Sequence, residues 1–95
     1  MQEHEAVDLV KQVLTARFEL GIGADAIPDD EPLFEAGLGL DSMAAIELVV
    51  GVEDAFGVTI RDEDLTLAHF ATVRSLARLA LARKPVIEGA AKEIH

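Results

Sequence analysis

The 95-residue chain contains no cysteine, no tryptophan and no tyrosine. Without cysteine there can be no disulfide, no thiolate metal site and no cysteine nucleophile. Four phenylalanines are the only aromatic residues, so a core has to be assembled from Val, Leu, Ile and Ala. Bases are few: eight Lys and Arg stand against eighteen Asp and Glu, for a net charge of -10. A chain of that charge repels a phosphate backbone, which argues against nucleic acid as a partner. No apolar run approaches the roughly 20 residues that span a bilayer, so no membrane insertion is expected. The opening MQEHEAVDLV has no basic stretch followed by an apolar one, so it does not read as a signal peptide. The expectation is a monomeric cytoplasmic domain.

What is present is unevenly distributed. Between Asp25 and Asp64 there are twelve acids and one base, Arg61. The remainder carries six acids and seven bases, so one contiguous region holds all of the net negative charge. Basic protein surfaces would be steered towards it. Hydrophobic residues make up 51% of the chain, enough for a folded globule, and the length suits one domain.

Periodicity predicts helices. Val7, Val10, Leu14 and Phe18 share a face of an amphipathic helix over 3–20, which Gly21 and Gly23 stop. Residues 21–41 form a long connection broken by Pro28, Pro32, Gly37 and Gly39, anchored by Ile27, Leu33, Phe34 and Leu38, with a short turn near 31–36. A second helix spans 42–56, with Asp41 as N-cap and Gly57 as stop. VTI at 58–60 reads as a short buried extended piece, and Asp62–Leu67 as a short helix. Thr72 caps a last helix running to about Arg83, with Val73, Leu76, Leu79 and Ala80 inward. The fold class is all-α: a small four-helix bundle of three longer helices and one short, with a long first loop. Residues 1–84 form the domain and 85–95 a flexible tail.

The second helix is apolar on more than one side. Leu48, Val52 and Phe56 step by four and face a core. Met43, Ile46 and Val50 fall elsewhere, flanked by Glu47, Glu53 and Asp54. A small bundle cannot bury both sides, which marks the second one for a partner.

Catalytic inventories come up empty. The histidines are His4, His69 and His95, and none lies near a nucleophile in sequence. Ser42 sits in G-L-D-S-M-A, not in a G-x-S-x-G elbow. The acids Asp62, Glu63 and Asp64 lack the rest of a calcium loop, and no spacing matches another metal site. The chain is not expected to be an enzyme. Ser42 nonetheless follows the cap Asp41 directly, at the positive end of a helix dipole, where an attached phosphate would be favoured. The plain alternative is a serine that merely starts a helix.

Residues 33–65, LFEAGLGLDSMAAIELVVGVEDAFGVTIRDEDL, resemble the acyl carrier protein family. The resemblance rests on Phe34 and Glu35, Leu38 and Gly39 before Asp41-Ser42, then Glu47-Leu48, Glu53, Phe56-Gly57, Ile60 and the acids from Asp62. It implies a covalent 4'-phosphopantetheine on Ser42, installed from coenzyme A by a phosphopantetheinyl transferase, with Asp41 as the helix cap beside it. The cofactor's thiol then carries acyl groups for acyl-transferring and condensing enzymes of fatty-acid, lipid or polyketide synthesis. The helix after the serine becomes the recognition helix, its Met43, Ile46, Glu47, Val50, Glu53 and Asp54 meeting basic docking patches. An acyl pocket is expected among Leu48, Val52, Phe56, Ile60 and Leu65. Arg74, Arg78, Arg83 and Lys84 make the last helix unusually basic, either as solvated charges or as a contact for a specialised partner. Alternatives are an aminoacyl or peptidyl carrier of a nonribosomal pathway and a non-carrier acidic interaction module.

Overall fold

The computed structural model describes residues 1–34 and 37–83. The expected tail 85–95, Lys84, Glu35 of the motif and the end of the 31–36 turn therefore lie outside the described residues. Three α-helices are present among them: α1 (Glu3–Arg17), α2 (Ser42–Phe56) and α3 (Val73–Ala82). Two single 3-10 turns, Ala24–Ala26 and Asp62–Asp64, interrupt the connections.

The first helix ends three residues earlier than its apolar spacing predicts. Phe18 leaves the helix with extended backbone while its N–H still donates to the Leu14 carbonyl. In extended chain, residues two apart point the same way, and both Phe18 and Leu20 pack against the core. Extension keeps two large side chains on the core where another helical turn would rotate one away. The second helix has the expected bounds, and Gly57 closes it in the left-handed region, donating to the Glu53 carbonyl.

The short fourth helix does not form. Asp64 turns its carboxylate back onto the Arg61 N–H at 3.0 Å. Thr66 Oγ1 accepts the His69 N–H, and His69 Nδ1 donates to the Asp64 carbonyl at 2.9 Å. The first bond caps the single 3-10 turn; the other two take an N–H and a carbonyl that a continuing helix would pair, so the segment splits into two tight turns. The 3-10 turn at Ala24–Ala26 carries no apolar periodicity, so local spacing does not mark it.

Helix α1 is the centre of the packing, lying against α3 most extensively and α2 next, while α2 and α3 touch lightly. The core is aliphatic, as the composition requires: Val7, Val10, Leu14, Leu48, Val52, Val73 and Leu76 are fully buried. Ile27 and Leu33 anchor the long loop inside it, with Phe34 and Leu38 half-buried above.

The loop is tied to the start of α3. Val73 N–H donates to the Glu31 carbonyl and Arg74 N–H to the Asp29 carbonyl, while Leu33 N–H reaches back to the Ala71 carbonyl at 3.0 Å. Arg74 reinforces the tie with ion pairs to Glu3, Asp29 and Asp30, and Arg78 adds a second to Glu3. Hydrogen bonds from Arg78 and then Arg74 hold the Glu3 carboxyl below its ordinary 4.5. Arg74 likewise holds Asp30 below its ordinary 3.8. Arg83 approaches the buried Asp64 at 3.7 Å. Arg74 and Arg78 of α3 and Arg83 just beyond it are therefore directed to the chain's own acids.

Candidate functional site: the start of the second helix

Gly39, with φ of 74°, turns the loop sharply before α2; side chains with a Cβ rarely tolerate that conformation. The chain then enters Asp41 in extended geometry, and Asp41 Oδ1 accepts the Ala44 N–H at 2.8 Å. The Asp41 carbonyl accepts the Ala45 N–H at 3.0 Å. The cap thus holds the third residue of the helix and leaves the first two, Ser42 and Met43, with no acceptor for their N–H groups among the described residues. Ser42 itself is exposed. An accessible hydroxyl stands beside free N–H groups at the positive end of a four-turn helix, an arrangement that accommodates a phosphate ester.

Helical spacing fixes what lies below that hydroxyl. Residues three, four and seven beyond Ser42 are Ala45, Ile46 and Val49, on the same face. Those three form one wall of an open apolar cleft of about 250 Å³. The other wall is Phe34 of the long loop and Leu65, Thr66, Leu67 and Phe70 of the turns that replace the fourth helix. Leu67 is 87% exposed and Leu65 is 50% exposed, so the rim is apolar and reachable.

Of the five residues expected to line an acyl pocket, only Leu65 borders this cleft. Leu48 and Val52 are fully buried in the main core and Ile60 nearly so, with Phe56 packed at its edge. The periodicity that puts Leu48, Val52 and Phe56 inward aims them into the main core. The spacing from Ser42 could have identified Ala45, Ile46 and Val49 from sequence alone. Leu67 and Phe70 could not have been identified that way, because their position depends on the two tight turns.

The six α2 residues expected to face partners separate into two groups. Met43, Ile46 and Val50 are exposed, at 74%, 64% and 42%. Each of the three acids, in contrast, has an intramolecular partner. Arg17 Nη1 lies 2.5 Å from Glu47 Oε2, and Arg17 Nη2 lies 3.2 Å from Asp54 Oδ2. Glu53 Oε2 accepts the Ile60 N–H at 2.8 Å and so holds the chain as it leaves α2. Among the described residues no cluster of His, Asp and Glu could hold a metal ion, and no helix is long and apolar enough to cross a membrane.

The family described as the phosphopantetheine attachment site matches residues 15–80, which span α2, the cleft and nearly all of α3. The chain belongs to the phosphopantetheine attachment family. Members bear covalent 4'-phosphopantetheine and act as carriers rather than enzymes, and this carrier chain does the same. Its family sets aside the non-carrier interaction module. The carrier is also similar to a chain in the crystal structure of an engineered Bradyrhizobium japonicum glycine:[carrier protein] ligase complexed with carrier protein from Agrobacterium tumefaciens and ATP. The similarity covers 80% of this chain and 96% of that one, at 26% identity and a TM-score of 0.67.

Proposed function

We propose that this carrier holds its 4'-phosphopantetheine on Ser42 and transports acyl groups. The observation that carries the assignment is the exposed Ser42 hydroxyl at a helix start whose first two N–H groups have no acceptor among the described residues. Those N–H groups would receive the phosphate oxygens, and Asp41 would keep the helix start fixed without covering it. When bound, the arm supplies the thiol that holds the cargo as a thioester. The apolar cleft on the Ser42 face supports a binding place for the acyl group, with Ile46, Val49, Leu65 and Phe70 as its main walls. At about 250 Å³ the cleft is smaller than the usual small-molecule site, so it suits a short acyl group unless Leu65 and Leu67 move aside.

Partners would be a phosphopantetheinyl transferase and acyl-transferring or condensing enzymes, meeting α2 through Met43, Ile46 and Val50 with Glu47, Glu53 and Asp54 at the margins. Intact mass after incubation with a transferase and coenzyme A tests the attachment. The protein should gain one phosphopantetheine, and Ser42→Ala should gain none. A gain that survives Ser42→Ala would move the site elsewhere.

An aminoacyl carrier is the second reading, favoured by the ligase complex in which the similar chain is found. Offering the loaded carrier, in parallel, an acyl donor with a matching acyltransferase and glycine with ATP and an adenylating ligase separates the two. An acyl adduct alone supports the first reading, and a glycyl adduct alone replaces it.

A further inference from the structure

Arg17, the last residue of α1, lies directly over α2. A Cβ placed on Gly51 would come within 2.7 Å of Arg17 Cδ and Nε and of Val13 Cγ1. Any larger residue would push the arginine away, so the glycine leaves a channel for its stem. The guanidinium emerges between Glu47 and Asp54, which stand four residues before and three after Gly51 on the same flank. One cation thus takes both of the acids that a basic partner would seek on that flank. The third acid, Glu53, already accepts the Ile60 N–H. The large exposed residues of α2 without such ties are the apolar Met43, Ile46 and Val50.

We propose that Arg17 is a specificity-determining residue that competes with basic partner enzymes for Glu47 and Asp54. The inference rests on the reading that partners dock on α2. A partner that relies on a basic patch must compete with Arg17 for those acids, each of which Arg17 meets through one oxygen. A partner whose docking face is apolar loses nothing to Arg17. The arginine therefore shifts recognition towards partners with an apolar docking face and away from those steered by charge alone. Exposed ion pairs of this kind are individually weak, so the discrimination should be about threefold to tenfold, not absolute.

The test uses Arg17→Met, which retains an apolar stem over Gly51 while removing the charge. The dissociation constant of the unloaded protein for a phosphopantetheinyl transferase with a basic docking face is measured by calorimetry at low and high salt. The transferase's KM and kcat for loading are measured alongside. The variant should bind about threefold to tenfold more tightly at low salt and lower KM without changing kcat, and the gain should shrink as salt screens the exposed acids. In a Glu47→Gln/Asp54→Asn background, Arg17→Met should change nothing, because no acids remain to be released. Unchanged or weaker binding by a variant with native helicity would overturn the proposal. So would an equal gain in the acid-free background, which would make the effect one of net charge. If the wild type gains no arm at Ser42, the attachment reading falls by itself. If it gains one and Arg17→Met binds no more tightly, only the role of Arg17 falls.

Discussion

The starts of α2 and α3 are built from nearly the same local chemistry and are put to opposite uses. Each has a cap whose side chain accepts the N–H of its third helical residue: Asp41 for Ala44, Thr72 for Ser75. Each also has a serine in its first turn. At α3 the long loop brings the Glu31 and Asp29 carbonyls over the first two N–H groups. Ser75 turns inward, accepting the Thr72 N–H and sharing its one hydroxyl proton between the His69 and Thr72 carbonyls. Every donor there is used. At α2 the same loop, having passed Gly39, lays no acceptor among the described residues over the first two N–H groups and leaves Ser42 exposed. A serine at a helix start is structural or functional according to what the rest of the chain lays across it.

The sharpest way to break this comparison is to exchange the two serines' fates. Ser42→Ala should abolish loading by a transferase, read by intact mass, and leave the melting temperature nearly unchanged. Ser75→Ala should do the reverse. It should load normally and lose about 1 kcal/mol, a fall of roughly 4–8 °C for a domain of this size, read by thermal circular dichroism. If Ser75→Ala also loses loading, the division of labour is wrong.

Uncovering α3 should be the next largest effect. Leu33 is fully buried and its N–H bonds the Ala71 carbonyl, so it pins the loop that covers α3. Leu33→Ala should cost about 2–5 kcal/mol in chemical denaturation. Hydrogen exchange at the Val73 and Arg74 amides should quicken in the same variant.

Asp41→Ala should cost about 0.5–2 kcal/mol, as loss of a helix cap does, and should slow loading. Asp41→Asn should restore most of the stability, because the side-chain oxygen remains. A Tm for the alanine variant equal to wild type would show that the open start is not held by its cap.

The smallest effect concerns the ion pairs that brace the covered start. Glu3 and Asp30 are held below their ordinary values by Arg78 and Arg74. Carboxylates shifted in that direction contribute stability that is present above the unfolded values of 4.5 and 3.8. It is lost as the pH falls through their lower folded values. Melts taken from pH 6 down to pH 3 should show Arg74→Ala differing from wild type by a modest amount at the top, with the difference shrinking as the pH falls. A gap that stays constant over that range would mean that Arg74 acts by packing alone.

Much of this was legible without a structure. The caps Asp41 and Thr72, the stop at Gly57 and the inward stripes of α2 and α3 depend on residues within a turn or two of each other, and such contacts are written in local spacing. The resemblance of residues 33–65 to carrier proteins was likewise legible, and the family match confirms it at that level. Three acids before an apolar residue look like a helix start, yet the fourth helix is absent. Thr66 and His69 instead take the His69 N–H and the Asp64 carbonyl that a continuing helix would pair.

The sequence by itself determined where α2 begins and ends, where α3 begins and which serine follows a cap, because those depend on backbone groups a few residues apart. Only the tertiary structure decided which helix start stays open, which acids of α2 are already taken and where the apolar cleft lies. The deciding contacts join residues far apart in the chain: Arg17 with Glu47, Arg74 with Asp30, Arg78 with Glu3. No periodicity within one helix records which distant charge or carbonyl the fold will lay across it.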